Sequence, residues 1–94
     1  MVSFDAVLSD TAELFVNHLA RDDRQAFREA LDLLLSDPFP DGITKVELPF
    51  PYTPGTFGFE YGDFWMAYTF MSPHMLAIAA VFWNPKSPRY PIDI

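Results

Sequence analysis

Gly58-Phe59-Glu60-Tyr61-Gly62-Asp63-Phe64-Trp65-Met66-Ala67-Tyr68 reads as a tight β-hairpin. Gly62-Asp63 supplies two central residues able to take the positive φ that a two-residue hairpin turn needs, and the aromatic flanks favour strands. The turn then sets the register. Tyr61 falls opposite Phe64, Glu60 opposite Trp65, Phe59 opposite Met66, Gly58 opposite Ala67 and Phe57 opposite Tyr68. Side chains alternate between the faces of a strand, so Phe57, Phe59, Tyr61, Phe64, Met66, Tyr68 and Phe70 are expected on one buried apolar face. Glu60, Trp65, Ala67, Thr69 and Met71 are expected on the other.

Outward from the hairpin, Ser72-Pro73-His74 turns the chain into residues 75–83. That stretch is an apolar run in which Ile78 and Val81 favour strand, and it is expected to be a central one. Residues 84–94 carry Pro85, Pro88 and Pro91 and are expected to form an extended tail. Upstream, residues 43–48 alternate as a strand after an Asp41-Gly42 turn, and Pro49, Pro51 and Pro54 end it in a loop to Gly55.

Further towards the N-terminus, residues 3–8 alternate Phe4, Ala6 and Leu8 against Ser3, Asp5 and Val7, as in a short first strand. Asp10-Thr11-Ala12-Glu13 has the spacing of a capping box, and Ala12, Phe15, Val16 and Leu19 follow at helical intervals. Asp22 and Gln25 repeat the start signal. Phe27, Ala30, Leu31 and Leu34 repeat the apolar spacing until Ser36-Asp37-Pro38 stops it. Two helices in a hairpin are expected, a continuous helix through Arg21-Asp22-Asp23 being the alternative. The fold class is therefore α+β: a short N-terminal strand, a helix hairpin, then a four-stranded antiparallel sheet region. The apolar hairpin face is expected to meet Phe15, Leu19, Phe27, Leu31 and Leu34.

Ninety-four residues, 50% of them hydrophobic, with 10 Phe, 4 Tyr and 2 Trp, suffice for one domain spanning 1–94 with its own core. There are no cysteines, which excludes disulfides and any thiolate chemistry. No basic and then apolar leader is read at the start, and no apolar run approaches the ~20 residues of a membrane span. A soluble cytoplasmic protein is the expectation. A net charge of −7 repels phosphate backbones and disfavours nucleic acid. Arg21, Arg24 and Arg28 cluster, but among Asp22, Asp23 and Glu29 they read as a solvated helix face.

The order of elements and three local matches resemble the RelE/ParE toxin family of bacterial toxin–antitoxin pairs. Leu8-Ser9-Asp10-Thr11-Ala12-Glu13 looks like the family's strand end and first helical turn, and Leu34-Leu35-Ser36-Asp37-Pro38 like its second-helix exit. Glu60-Tyr61-Gly62-Asp63-Phe64-Trp65 is similar to its Arg-Val-Gly-Asp-Tyr-Arg hairpin. Phe82-Trp83-Asn84-Pro85-Lys86-Ser87-Pro88-Arg89-Tyr90 looks like its last strand and basic, Tyr-containing tail. In ribonuclease members, basic residues on the exposed sheet face hold mRNA phosphates. This sequence departs there, with Glu60 and Trp65 in place of the hairpin arginines and Trp83 in place of the strand-end histidine. Only Lys45, Lys86, Arg89 and Tyr90 have counterparts, and they are the catalytic set if a ribonuclease survives. A glutamate in place of a phosphate-binding arginine inverts the local charge on which phosphoryl chemistry depends. Partner binding is the trait that remains.

Glu60, Trp65 and Trp83 are accordingly the expected partner-binding residues. Trp65 should point away from the buried face, and Trp83, if it shares that face, would form an apolar clasp with it. The tail or the 49–55 loop folding back over both is the bland alternative. Glu60 near Tyr90 or His74 has the makings of a general base, but with no second catalytic group in view an ordinary exposed strand residue is the favoured reading. Asp63 reads as a turn residue. His18 and His74 stand alone, no metal-ligand spacing joins them, and no cofactor or metal is expected. The expected partner is an antitoxin-like protein, basic to complement the charge. A diverged mRNA endoribonuclease and a non-toxic homodimeric binding module are the alternatives.

Overall fold

The structure is a computed structural model and describes residues 4–90. Its elements run β1 (Asp5–Leu8), α1 (Asp10–Asn17), α2 (Arg21–Ser36), β2 (Lys45–Glu47), β3 (Phe57–Tyr61), β4 (Phe64–Ser72) and β5 (Met75–Trp83). The strands form one five-stranded sheet in the order β1-β5-β4-β3-β2. β1 lies parallel to β5, and every other pairing is antiparallel. The architecture is α+β as expected, with β1 joined to the edge of the sheet.

The hairpin has the expected register, from Tyr61 opposite Phe64 to Phe57 opposite Tyr68. Only Gly62 takes a positive φ, +59°, so the turn places its strained position first, as a II′ turn does, and Asp63 needs none. Phe59, Phe64, Met66 and Tyr68 are buried against the helices. Tyr61 is not: at the tip it is 46% exposed and stacks on Phe59. Leu76, Ile78 and Val81 of β5 join this layer, with Ala12, Leu19, Phe27, Ala30 and Leu34 above it. Phe27 meets Phe64 edge-on at 5.6 Å. Each large side chain fully buried here contributes about 1.5–3 kcal/mol, which makes this the layer that holds helices to sheet.

Helix starts differ in detail. Ser9, not Asp10, caps α1, its Oγ accepting from Ala12 N at 3.1 Å. α2 begins after Ala20 with no side-chain cap. The break between the helices is real. His18 closes α1, and the Arg24 guanidinium donates to Asn17 O and Leu19 O across the gap. α2 ends before Asp37-Pro38 as expected.

β2 is shorter than residues 43–48 because Asp41 captures its start. The Asp41 carboxylate accepts from the backbone N–H groups of Ile43, Thr44 and Lys45 and from the Thr44 hydroxyl. Those bonds curl the chain before it can pair. The expected extended tail is also corrected for residues 84–90: Ser87 N donates to Asn84 O and Tyr90 N to Ser87 O, so it proceeds by successive turns. Pro91 and the rest of the tail, like Ser3 of the first strand, lie outside the described residues. Among the described residues no helix is long and apolar enough to cross a membrane.

Candidate functional site

The sheet face opposite the helices is floored by small residues. Gly58 and Ala67 face each other across β3 and β4, and Ala67 faces Ala80 of β5. Trp65 lies over this floor. A Cβ on Gly58 would stand 2.9 Å from Trp65 Cζ2 and 3.0 Å from Leu48 Cδ2, so glycine is what lets the indole descend. Trp65 is therefore half-buried, not freely projecting.

Its stacking partner is Phe82, at 5.5 Å and 20°. Trp83 is on the other face. The β4–β5 register slips at Ala79, since Tyr68 pairs with Ile78 but Ala67 with Ala80. One extra residue in β5 reverses the alternation beyond it, sending Val81 and Trp83 towards the helices and Phe82 to the open face. Trp83 stacks on Phe64 at 5.2 Å, receives Phe15 edge-on at 5.5 Å and lies under the Arg89 guanidinium at 5.4 Å. The condition that Trp83 share a face with Trp65 is not met.

The two tryptophans nevertheless line one cleft of about 470 Å³. Phe15 and Trp83 contribute from the helix side, Trp65 and Phe82 from the open face. Tyr52 of the β2–β3 loop and Pro85 and Tyr90 of the tail complete the lining. Residues from both faces meet because β1 stops opposite Ile78, leaving the last part of β5 as an edge. Phe15, Phe82, Tyr52 and Pro85 were not among the residues expected at a site. The bulge that selects Phe82 has no local sequence signal in an unbroken apolar run.

The basic residues of the expected ribonuclease set are each engaged. Lys45 is on the helix-side face of β2, only 9% exposed, and its Nζ donates to Asp37 O at 2.7 Å. Lys86 pairs with Glu60 at 3.1 Å, and Arg89 with Asp23 at 2.6 Å. Asn84 and Lys86 hold the Glu60 carboxyl below the usual carboxylate range, so it is a charged anchor for the tail rather than a base poised near neutrality. Asn84, buried, also donates from its backbone to Asp63 O at 2.7 Å and from its side chain to Gly62 O at 3.3 Å. Hairpin tip and tail are thus tied together. Lys86, Arg89 and Tyr90 are neighbours in this tail, whereas Lys45 is apart from them. His74 packs against Phe4, away from Glu60, and His18 Nδ1 contacts Leu14 O.

Among solved structures, the chain is similar to a chain of the RelBE2 toxin–antitoxin complex of Mycobacterium tuberculosis, with a TM-score of 0.72 and 21% identity, covering 89% of this chain and 94% of that one. It is also similar to a chain of the archaeal RelE–RelB complex from Pyrococcus horikoshii OT3, with a TM-score of 0.65 and 14% identity over 92% and 100% of the two chains. No protein-family profile and no curated protein sequence matches it. At these identities the likeness establishes the fold, which is that of a RelE-like toxin.

Proposed function

We propose that this chain is the toxin-type component of a toxin–antitoxin pair and that it acts by holding a protein partner rather than by cleaving RNA. The observation that carries this reading is the aromatic cleft beside the Glu60–Lys86 pair. Where phosphates would need unpaired cations on a polar surface, the chain offers Trp65, Phe82 and Trp83 and a cation already bonded to a carboxylate. Glu60, Trp65 and Trp83 accordingly serve partner binding, Glu60 by fixing the tail that borders the cleft. The partner is an antitoxin-like protein, and the net charge of −7 favours a basic one. One similar structure comes from a toxin–antitoxin complex and the other from a RelE–RelB complex, which supports a partner of that kind.

Lys86 and Tyr90, adjacent in the tail and exposed, are what a diverged ribonuclease would have left to work with. Induction of the chain in bacterial cells without a partner, with growth and mRNA integrity followed together, separates the two readings. Growth arrest with intact mRNA is the expected result. Arrest with mRNA cleavage that a Lys86→Ala Tyr90→Phe variant abolishes would replace the binding reading with the enzymatic one.

A further inference from the structure

The sheet has two outer edges and one step. On the β2 side the loop occupies the outward groups of Lys45, whose N donates to Asp41 Oδ1 at 3.0 Å and whose O accepts from Asp41 N and Gly42 N at 3.0 and 3.1 Å. Only Glu47 is left beyond it, away from the apolar cleft. On the β1 side, Phe4 N donates to Leu35 O at 3.0 Å, tying the start of that edge to the end of α2, and β1 lies outside the cleft lining. The step is on β5. β1 ends opposite Ile78, and Ser9 turns the chain into α1 with its Oγ donating to Ala79 O at 2.7 Å.

Beyond Ala79 the direction of each peptide group follows from one bond. Asn84 N donates to Asp63 O on the hairpin side, so Phe82 and Ala80, two and four residues earlier, also face β4. Val81 and Trp83 therefore turn their N–H and C=O groups outward. Among the described residues none of these four groups has a hydrogen-bond partner. Trp83 lines the apolar cleft, between Phe15 on the helix side and Phe82 on the open face, and Val81 precedes it on the same edge.

Backbone groups in a row ask for a strand, and apolar walls above and below its plane ask for apolar side chains at successive positions. One ligand meets both demands. We infer that the β5 edge at Val81–Trp83 is a strand-addition site for a short run of consecutive apolar, strand-favouring residues in a partner protein. This rests on the partner-binding reading above and adds how the partner is held. A second copy of the chain does not fit, because the edge is recessed between α1, the tail and the β2–β3 loop, and its own copy would be recessed in the same way. A single extended segment enters such a slot.

The test uses the full chain and the blocked hexapeptide Lys-Thr-Val-Phe-Val-Thr, beside the same peptide N-methylated at every residue, which keeps the side chains but cannot donate. Binding is read by tryptophan fluorescence, and amide exchange is followed residue by residue. The expected result is saturable binding at roughly millimolar peptide or below, exchange at Val81 and Trp83 slowed, and the methylated peptide weaker by about tenfold or more. Equal binding of the two peptides, protection at β2 instead of β5, or no binding would each overturn the site. Val81→Pro removes an outward N–H without touching the β4 ladder and is expected to abolish binding. Should that variant not fold, the comparison of the two peptides still decides. Failure here with growth arrest in the induction experiment would remove only the strand-addition site, whereas failure there would remove the toxin reading itself.

Discussion

Tyr68 shows how much one side chain can join. Its ring is fully buried in the sheet–helix layer, and its hydroxyl donates to Pro38 O at 2.6 Å, fastening the exit of α2 to the centre of β4. Burial, then the charges of Asp41 and Asp37, push its pKa up to about 12. The folded chain thus keeps a proton that the unfolded chain releases near pH 10. Tyr68 contributes fully below that pH, and its contribution is lost as pH rises through about 12. Alkaline denaturant titrations should show stability falling across this window, and a Tyr68→Phe variant should lack that fall. At neutral pH the same variant should lose about 1–2 kcal/mol, because the Pro38 carbonyl is left unpaired in the interior. Asp41 works in the opposite direction. The N–H groups of Lys45 and Ile43, followed by the Thr44 hydroxyl, hold its carboxyl well below the usual carboxylate range. Its contribution is present above about pH 4 and lost as pH falls below that. Asp41→Ala should accelerate amide exchange at Ile43, Thr44 and Lys45 at neutral pH. Alternation in the sequence places Tyr68 on the buried face, but the acceptor of its hydroxyl is thirty residues away and has no local signal.

Among the elements, the β3–β4 hairpin and β5 behave differently for a physical reason. A two-residue turn with Gly62 leaves one register, so all five pairs follow from the sequence. β5 has no such local clamp. An apolar run can bulge anywhere, and packing against β4 and α1 decides that it bulges at Ala79. Deleting Ala79 removes the extra residue and leaves Ile78 opposite Tyr68 and Ala80 opposite Ala67, so Phe82 should stay on the open face and Trp83 on Phe64. Tryptophan emission unchanged by the deletion is the expected result, and a red shift would mean that the bulge, rather than the pairing with β4, holds Trp83 in place. Gly58→Ala tests the open face. Its methyl would force Trp65 and Leu48 off the sheet floor, so a red-shifted Trp65 emission and a loss of about 1–3 kcal/mol are expected. Unchanged emission would mean that Trp65 does not rest on Gly58 in solution.

For the whole molecule, charge and site separate. The chain carries −7, yet all three cations in its tail and β2 end in ion pairs, Lys86 with Glu60, Arg89 with Asp23 and the buried Lys45 with Asp41. A ligand held by the cleft is held mainly by apolar area and backbone hydrogen bonds, both little screened by salt. Raising salt from roughly 50 to 200 mM should therefore weaken partner binding by less than about tenfold, where six to ten phosphate contacts would lose ~10³–10⁵. Affinity measured against salt checks this directly.

By itself the sequence determined the α+β class, the order of elements, the hairpin register, the helix break and the apolar faces, because turns, stops and periodicities are short-range properties of the chain. Tertiary structure alone decided the rest. Ala79 sets the phase of β5, so Trp83 lies with the helices and Phe82 with Trp65. Asp37 draws Lys45 inward, and Asn84, Lys86 and Arg89 fold the tail back onto the hairpin and α2. Each of these joins groups far apart in the chain, and which of several residues wins such a contact depends on the packed whole rather than on any window of sequence.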